Sequence, residues 1–406
     1  MHPIYSLNNG VKLVHKLVDS PISHFGVLIN AGTRDEIISK VGLAHFVEHT
    51  IFKGTQRRTA GQVIRYMENV GGDVNASTSK EETYFHASFL SADSERAIEL
   101  LSDVFFNATF PEKELQKEKD VIFEEINYYN DTPSELIFDD FEALIFDQHP
   151  LGRSILGTKK GLKNLKREDI LQFLQLNYTS GNIVLSYAGA FSLEKVTKWC
   201  QKYFGNHKIL ESQRLRSPFQ GYKPKTIVKK KNTSQAHVML GNVAYSLMHD
   251  KRHALMLLSN LLGGQGLNTR LNLAIREKKG LAYTVEAAYN PFSDCGLFSI
   301  YLGCDNNMVE KCIDITYKEL AKLRTQPLGT LQLHYAKKQF LGQLAISNET
   351  KLNEMLALGR SALFFNEIET LEEAIRSFEQ ITAPDLCEIA NEIFIQDQFS
   401  TLIFTK

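Results

Sequence analysis

Residues 45–55 of the chain read HFVEHTIFKGT, and this stretch decides which fold and chemistry to expect. The segment from near Val41 past His49 is predicted to be a helix, on which residues four apart lie on the same face. His45 and His49 can therefore offer two imidazole nitrogens to one metal ion, and Glu48 leans to the same side. Zinc suits two imidazoles and a carboxylate, with an open position for water. The spacing predicts a Zn²⁺ centre at which Glu48 is the general base that takes a proton from a zinc-bound water.

A catalytic zinc centre needs a third protein ligand, and the sequence offers several candidates. The predicted helix from Pro111 to Asn130 contains the acids Glu112, Glu114, Glu118, Glu124 and Glu125. Most acids on such a helix are simply solvated, so their spacing does not select one of them. The alternative interpretation of the motif is a helix with two structural histidines and a surface glutamate.

The order of predicted elements indicates an α+β chain with an internal repeat. A glycine-led segment enters the strand Thr83–Phe89, and a helix follows from Ser94. The same order recurs around 296–299, with a helix from about Val309, and Phe85 and Phe298 lie 213 residues apart. This favours a tandem duplication of one α+β unit. The predicted domains are a zinc-bearing half at 1–208, a linker at 209–222 and a non-catalytic half at 223–406, because no second HxxEH follows residue 220.

Composition excludes several classes of function. Lys plus Arg number 46 and Asp plus Glu 47, for a formal net charge of -1, so nothing calls for a nucleic-acid partner or an anionic membrane surface. The five cysteines show no CxxC spacing and fit a reducing compartment. The N-terminus lacks a basic region followed by an apolar stretch, and no apolar run is long enough to cross a bilayer. The expected location is cytoplasmic.

The HFVEHTIFKGT motif and its surroundings resemble the pitrilysin/insulinase family of zinc peptidases, the inverzincins, and within it the processing-peptidase-like enzymes. The resemblance covers nearly the whole chain and continues in GGDVNASTS at 71–79, in Glu118 to Glu125, in DTP at 131–133, in HPLGR at 149–153 and in Arg276 to Tyr283. It implies two homologous halves, each a mostly antiparallel sheet packed with helices. It also implies a zinc metalloendopeptidase, a hydrolase that acts on peptides or unfolded polypeptide segments.

The resemblance also implies which acids serve the metal. Glu125 matches the family's third zinc ligand. Glu118, two turns earlier on the same predicted helix face, matches an acid that supports the site by orienting a ligand or tuning its basicity. Glu124 points elsewhere on the helix.

The substrate-binding residues are implied in the same way. Asn75 and Ala76 match the family's edge strand beside the metal, to which an extended peptide can add by main-chain hydrogen bonds. The alternative for Asn75 is a role in the turn after the two glycines at 71–72. Arg276 and Tyr283 match an Arg and a Tyr that reach substrate, with the phenol donating to the developing oxyanion. The alternative is that basic residues and Gly280 merely end a helix.

The number of chains in the active enzyme follows from the same resemblance. Some bacterial relatives divide the zinc motif and the Arg/Tyr motif between two polypeptides, whereas this chain has both, which favours a self-sufficient homodimer. The alternatives are a heterodimer with a related chain and a non-catalytic or partner-dependent subunit of a heterodimeric peptidase or assembly complex.

Overall fold

The computed structural model describes residues 3–211 and 215–406, and it contains two sheets that are each covered by helices. Residues 212–214 of the predicted linker lie outside the described residues. The first sheet has six strands in the order β1-β2-β6-β3-β5-β4. These strands are β1 Tyr5–Ser6, β2 Lys12–Leu17, β3 Ile22–Ile29, β4 Asp73–Thr78, β5 Thr83–Leu90 and β6 Ile183–Gly189. Only β2 and β6 pair in parallel; the other neighbours are antiparallel.

Within the described residues, the second sheet repeats the strand order of the first without a counterpart of β1. Its order is β7-β11-β8-β10-β9, and again a single pair, β7 with β11, is parallel. The strands are β7 Thr226–Lys230, β8 Ala236–Ala244, β9 Ala282–Pro291, β10 Gly296–Cys304 and β11 Ser400–Thr405. Phe85 and Phe298 are each the third residue of their strand, β5 and β10. The predicted α+β fold of two similar, mostly antiparallel halves is confirmed.

Helices cover both sheets. Eight precede residue 201: α1 Leu43–Ile51, α2 Ala60–Glu68, α3 Ser94–Asn107, α4 Glu112–Asp131, α5 Pro133–Ile145, α6 Lys159–Lys163, α7 Arg167–Asn177 and α8 Leu193–Cys200. The later ones are α9 Arg252–Gly263, α10 Val309–Thr325, α11 Thr330–Ser347, α12 Lys351–Phe365, α13 Leu371–Gln380 and α14 Ala383–Ile393. None of the helices in 3–211 and 215–406 combines the length and apolarity that crossing a membrane requires.

The chain forms two compact units, each drawn from three stretches of sequence. Unit 1 comprises the described residues of 1–127, 153–216 and 347–370, and unit 2 comprises 128–152, 217–346 and 371–406. These units differ from the predicted halves, 1–208 and 223–406, by two exchanged segments: residues 128–152 belong to unit 2, and residues 347–370 belong to unit 1. The predicted boundaries therefore remain a prediction about the repeat and do not describe the units.

Each exchanged segment is explained by the sheet that buries its apolar side chains. Helix α12, from late in the sequence, packs on β2, β3 and β6 of the first sheet. Its Met355 is fully buried, and the Met355 carbonyl accepts a hydrogen bond from the Ser186 hydroxyl at 2.7 Å. Helix α5, from early in the sequence, packs on β8 and β11, where Phe141 shares a buried cluster with Met239 and Phe404.

Candidate metal centre

The metal-binding motif lies on helix α1, a nine-residue helix held by its apolar face. Phe46, Val47 and Ile51 are fully buried, and burial of side chains of this size stabilises by roughly 1.5–3 kcal/mol each. His45, on the same helix, is only 7% exposed, and Glu48 and His49 are half-buried. The two imidazole rings meet with centroids 4.5 Å apart. The helix therefore presents both rings to one small region, as their four-residue spacing predicts.

The start of α1 is held by an acid to which the sequence alone gave no role. The residue before the helix, Gly42, has φ 91 and no side chain with which to cap the free N–H groups. The carboxylate of Glu36 accepts from the Gly42 amide at 2.9 Å and from the Ala44 amide at 2.7 Å. Burial raises the pKa of Glu36, and these two amides, followed by the Arg153 and Lys80 charges, oppose that shift. The lack of a capping side chain before α1 was the available signal, but it did not identify the acid.

The third ligand candidate comes from α4. Oε2 of Glu125 lies 3.7 Å from Nε2 of His45 and 3.7 Å from Nε2 of His49. One ligand atom from each of the three residues lies within 4.8 Å of the others. Tetrahedral ligands at zinc bond lengths are separated by roughly 3.4 Å, so small side-chain movements suffice to bind an ion. Oε2 of Glu125 is buried without a hydrogen-bond partner among the described residues, which fits an oxygen that coordinates a cation.

Two of the three residues, His45 and Glu125, have shifted pKa values. Burial, followed by the neighbouring His49 ring, lowers the pKa of His45 to about 3. The imidazole is therefore neutral at pH 7, the form whose lone pair coordinates metals. Burial also raises the pKa of Glu125; the His49 ring opposes this, and the Glu48 charge adds to it. A cation among these groups would favour the ionised carboxylate.

Glu118 and Glu124, the neighbouring acids on α4, have different surroundings. Glu118 is 8% exposed, and its Oε2 lies 3.3 Å from Nδ1 of His49. Its other oxygen, Oε1, lies 2.7 Å from Nζ of Lys53, which belongs to the same motif as the histidines. Glu124 is exposed. Glu118 therefore contacts a candidate ligand from behind, and its supporting role stays a prediction, while Glu124 faces solvent.

The residues expected to bind the substrate backbone lie on β4. This strand pairs with β5 on one side and, within the described residues, with no strand on the other. Asn75 lies inside β4 opposite His86, so it is a strand residue, and its side-chain oxygen accepts from the Ala76 amide at 2.8 Å. Helix α1 packs beside β4. The free edge and the histidine-bearing helix are thus neighbours within unit 1.

Arg276 and Tyr283 belong to unit 2, whereas the candidate metal ligands belong to unit 1. Arg276 lies in a π-helical segment, Asn272–Glu277, with its side chain 44% exposed. Gly280 follows with φ 61, the left-handed conformation expected after a helix. Tyr283 is 57% exposed at the start of β9, and its hydroxyl donates to Oδ1 of Asp305 at 3.3 Å. Both side chains are accessible, and their contact with substrate remains a prediction.

The chain thus has two similar α+β units, and unit 1 brings an HxxEH helix against a glutamate that is distant in sequence. These features place it in the class of two-unit proteins with a candidate mononuclear metal centre. Comparison with known families agrees with this class. Residues 13–159 match the family model described as insulinase, peptidase family M16. Residues 164–340 match the model described as the peptidase M16 inactive domain.

Relatives extend these matches over the whole chain. An uncharacterized zinc protease of Bacillus subtilis is 32% identical over 403 residues, which cover 98% of this chain and 97% of the relative. An uncharacterized zinc protease of Mycobacterium tuberculosis is 30% identical over 394 residues, which cover 96% of this chain and 90% of the relative. A protease from Helicobacter pylori has the same fold, with a TM-score of 0.93 at 24% identity and full coverage of both chains. The chain belongs to the insulinase peptidase family M16, which confirms the resemblance to the pitrilysin/insulinase peptidases.

Proposed function

We propose that the protein is a zinc-dependent endopeptidase that hydrolyses peptides or unfolded polypeptide segments. The observation that carries the proposal is the convergence of His45, His49 and Glu125, whose ligand atoms lie within 4.8 Å of one another. Glu48 lies on α1, the helix that carries both histidines. The relatives named as zinc proteases support the choice of metal and of reaction class. When bound, zinc acts as a Lewis acid towards water and towards the scissile carbonyl.

The side chains of the chain supply the other parts of the reaction. His45, His49 and Glu125 would hold the ion, and Glu118 would orient the His49 ring by accepting from Nδ1. Glu48 is the proposed general base for the attacking water: it lies on α1 between the two histidines, and its charge contributes to the raised pKa of Glu125. After attack it can return the proton to the leaving amine.

The substrate is proposed to bind as an extended strand. The free edge of β4 offers main-chain donors and acceptors at Asn75 and Ala76, which would hold a peptide without selecting its side chains. Arg276 and Tyr283 are the proposed further substrate contacts, and the Tyr283 phenol is the proposed donor to the oxyanion. A homodimer in the cytoplasm is the proposed working form, in which this chain or its second copy supplies these two residues.

The test compares Glu48→Gln with Glu124→Gln, an identical change at an exposed position one residue from the proposed ligand Glu125. General-base removal is expected to lower kcat by about 100- to 10,000-fold, while stoichiometric zinc and the melting temperature stay unchanged. Glu124→Gln should cleave like the wild type. The measurements are zinc content by elemental analysis and cleavage of a fluorogenic peptide library, with and without a chelator. Full activity of Glu48→Gln would refute the assigned role.

The competing proposal is a non-catalytic or partner-dependent subunit, and it predicts a different result. The purified single chain would then bind zinc but cleave nothing until a related chain is added. Chelator-sensitive cleavage by the purified chain alone supports the endopeptidase and excludes this alternative. Light scattering on the same sample gives the number of copies in the active form.

A further inference from the structure

Lys53 links the end of the motif helix to the acid that contacts His49. It lies two residues beyond the end of α1 and four residues after His49 in the sequence. Its Nζ is 2.7 Å from Oε1 of Glu118, and Oε2 of Glu118 is 3.3 Å from Nδ1 of His49. Lys53 is 27% and Glu118 only 11% exposed as side chains. One largely buried carboxylate therefore bridges an ammonium group and an imidazole.

This bridge decides which nitrogen of His49 is free. A carboxylate with a partner on each oxygen cannot rotate without losing one contact, so Oε2 remains against Nδ1. Because the other oxygen of Glu118 accepts from the Lys53 ammonium group, we assign Glu118 as the acceptor in this contact and Nδ1 of His49 as the donor. In the neutral ring of that tautomer the lone pair is on the other nitrogen, Nε2, which is the atom that lies 3.7 Å from Oε2 of Glu125. The second imidazole differs, because Nδ1 of His45 is buried and has no hydrogen-bond partner in 3–211 or 215–406.

Charge gives a second reason to assign Lys53 a role. A carboxylate as buried as Glu118 is costly unless a positive group or hydrogen bonds compensate it, and Lys53 forms its ion pair. Glu118 and Glu125 are seven residues apart and lie on one face of α4, so both carboxylates project to the same side. Without Lys53, the Glu118 carboxylate would lose the contact that holds it in place behind His49.

We propose that Lys53 is a positioning residue for the metal centre: by holding one oxygen of Glu118, it keeps the other on Nδ1 of His49 and so fixes the ring nitrogen that faces Glu125. The inference rests on the proposed function, because it concerns the affinity of the same three ligands for zinc. It extends the centre to a side chain that neither coordinates the ion nor contacts substrate.

The experiment measures the zinc dissociation constant of the full chain by competition with a chromophoric chelator. Lys53→Met is expected to weaken zinc binding by about 10- to 100-fold, the usual effect of losing a group that orients a metal ligand. Lys53→Arg keeps the charge and should recover most of the affinity. Lys117→Met is the matched control, because Lys117 forms an ion pair of the same length, 2.7 Å, with Glu114 on the exposed surface. Its zinc affinity should stay within about twofold of the wild type.

A double-mutant cycle tests the route through Glu118. In a Glu118→Gln background, Lys53→Met should have no further effect on zinc affinity, because the two changes act on one chain of contacts. The melting temperature of each metal-free variant is measured in parallel. A loss of affinity only in variants that melt below the wild type would show a merely structural role and overturn the proposal.

The remaining outcomes separate the inference from the proposed function. If the wild type binds stoichiometric zinc and Lys53→Met binds it equally well, only the inference is wrong. It is equally wrong if Lys53→Met weakens binding to the same extent in the Glu118→Gln background. If the wild type binds no zinc, the proposed function itself is wrong, and the inference goes with it.

Discussion

Replacing Met355 by alanine tests whether a helix from the second half of the sequence stabilises the sheet of the first. Met355 is fully buried on α12, and a Cβ placed on Gly26 of β3 would lie only 3.0 Å from its sulfur. The alanine would leave a void that Gly26, without a side chain, cannot fill. Buried Met→Ala changes lower the free energy of unfolding by about 2–5 kcal/mol. Because the neighbouring residues cannot close the cavity, we expect a loss of about 3 kcal/mol or more here.

The assay is hydrogen exchange followed by mass spectrometry, because it reports each sheet separately. Since 1.4 kcal/mol corresponds to a factor of ten, about 3 kcal/mol should speed exchange of the slowest amides of β3 and β6 by on the order of 100-fold. The slowest amides of β8 and β10 should be unaffected. Phe141→Ala on α5, fully buried against the second sheet, should produce the opposite pattern, with faster exchange in β8 and β11.

Met248→Ala is the control, since Met248 is 51% exposed and an exposed truncation changes stability by about 0.5 kcal/mol or less. Faster exchange of the second sheet in Met355→Ala, or equal acceleration of both sheets, would refute the assignment of α12 to the first sheet. Unchanged exchange everywhere would refute the estimate of its contribution.

Two further predictions concern the helix that carries the histidines. Glu36→Ala leaves the amides of Gly42 and Ala44 without their acceptor, so we expect a loss of about 1–3 kcal/mol in urea unfolding, and an unchanged midpoint would contradict the capping role. The pKa of His45 is lowered to about 3 in the folded chain, so below its unfolded value of about 6.5 the unfolded state binds a proton that the folded state excludes. The free energy of unfolding of the metal-free protein should therefore fall between pH 7 and pH 5 by about 2 kcal/mol more in the wild type than in His45→Gln. An equal pH dependence in the two proteins would contradict the lowered pKa of His45.

The local parts of this fold could be predicted from sequence because they depend on spacing along the chain. The four-residue interval of His45 and His49 fixes their common face once the segment is helical, and the structure has that helix from Leu43 to Ile51. The interval between Phe85 and Phe298 correctly aligned β5 with β10, because a duplicated unit repeats its strand pattern.

The exchange of α5 and α12 could not be predicted in the same way. Periodicity shows that a helix has an apolar face, but it does not show which sheet covers that face. On α12, Met355, Leu356, Leu358 and Ala362 are all buried, a pattern that fits either sheet equally well. The sheet that covers α12 is decided by shape at the contact, for example where Gly26 leaves room for Met355. Such pairings between distant residues leave no periodic signal in the sequence.

The choice between Glu118 and Glu125 shows the same limit at the candidate site itself. Seven residues span about 10 Å along a helix, so the two carboxylates cannot both lie between the same two Nε2 atoms. In the structure Glu125 lies 3.7 Å from both Nε2 atoms, while Glu118 lies 3.3 Å from Nδ1 of His49. A displacement of α4 by two turns would bring Glu118 to the place that Glu125 occupies. The observed register instead places Lys119 of α4 where its Nζ donates to the Leu165 carbonyl at 2.7 Å, and such a contact within the folded core is not contained in the spacing of acids along one helix.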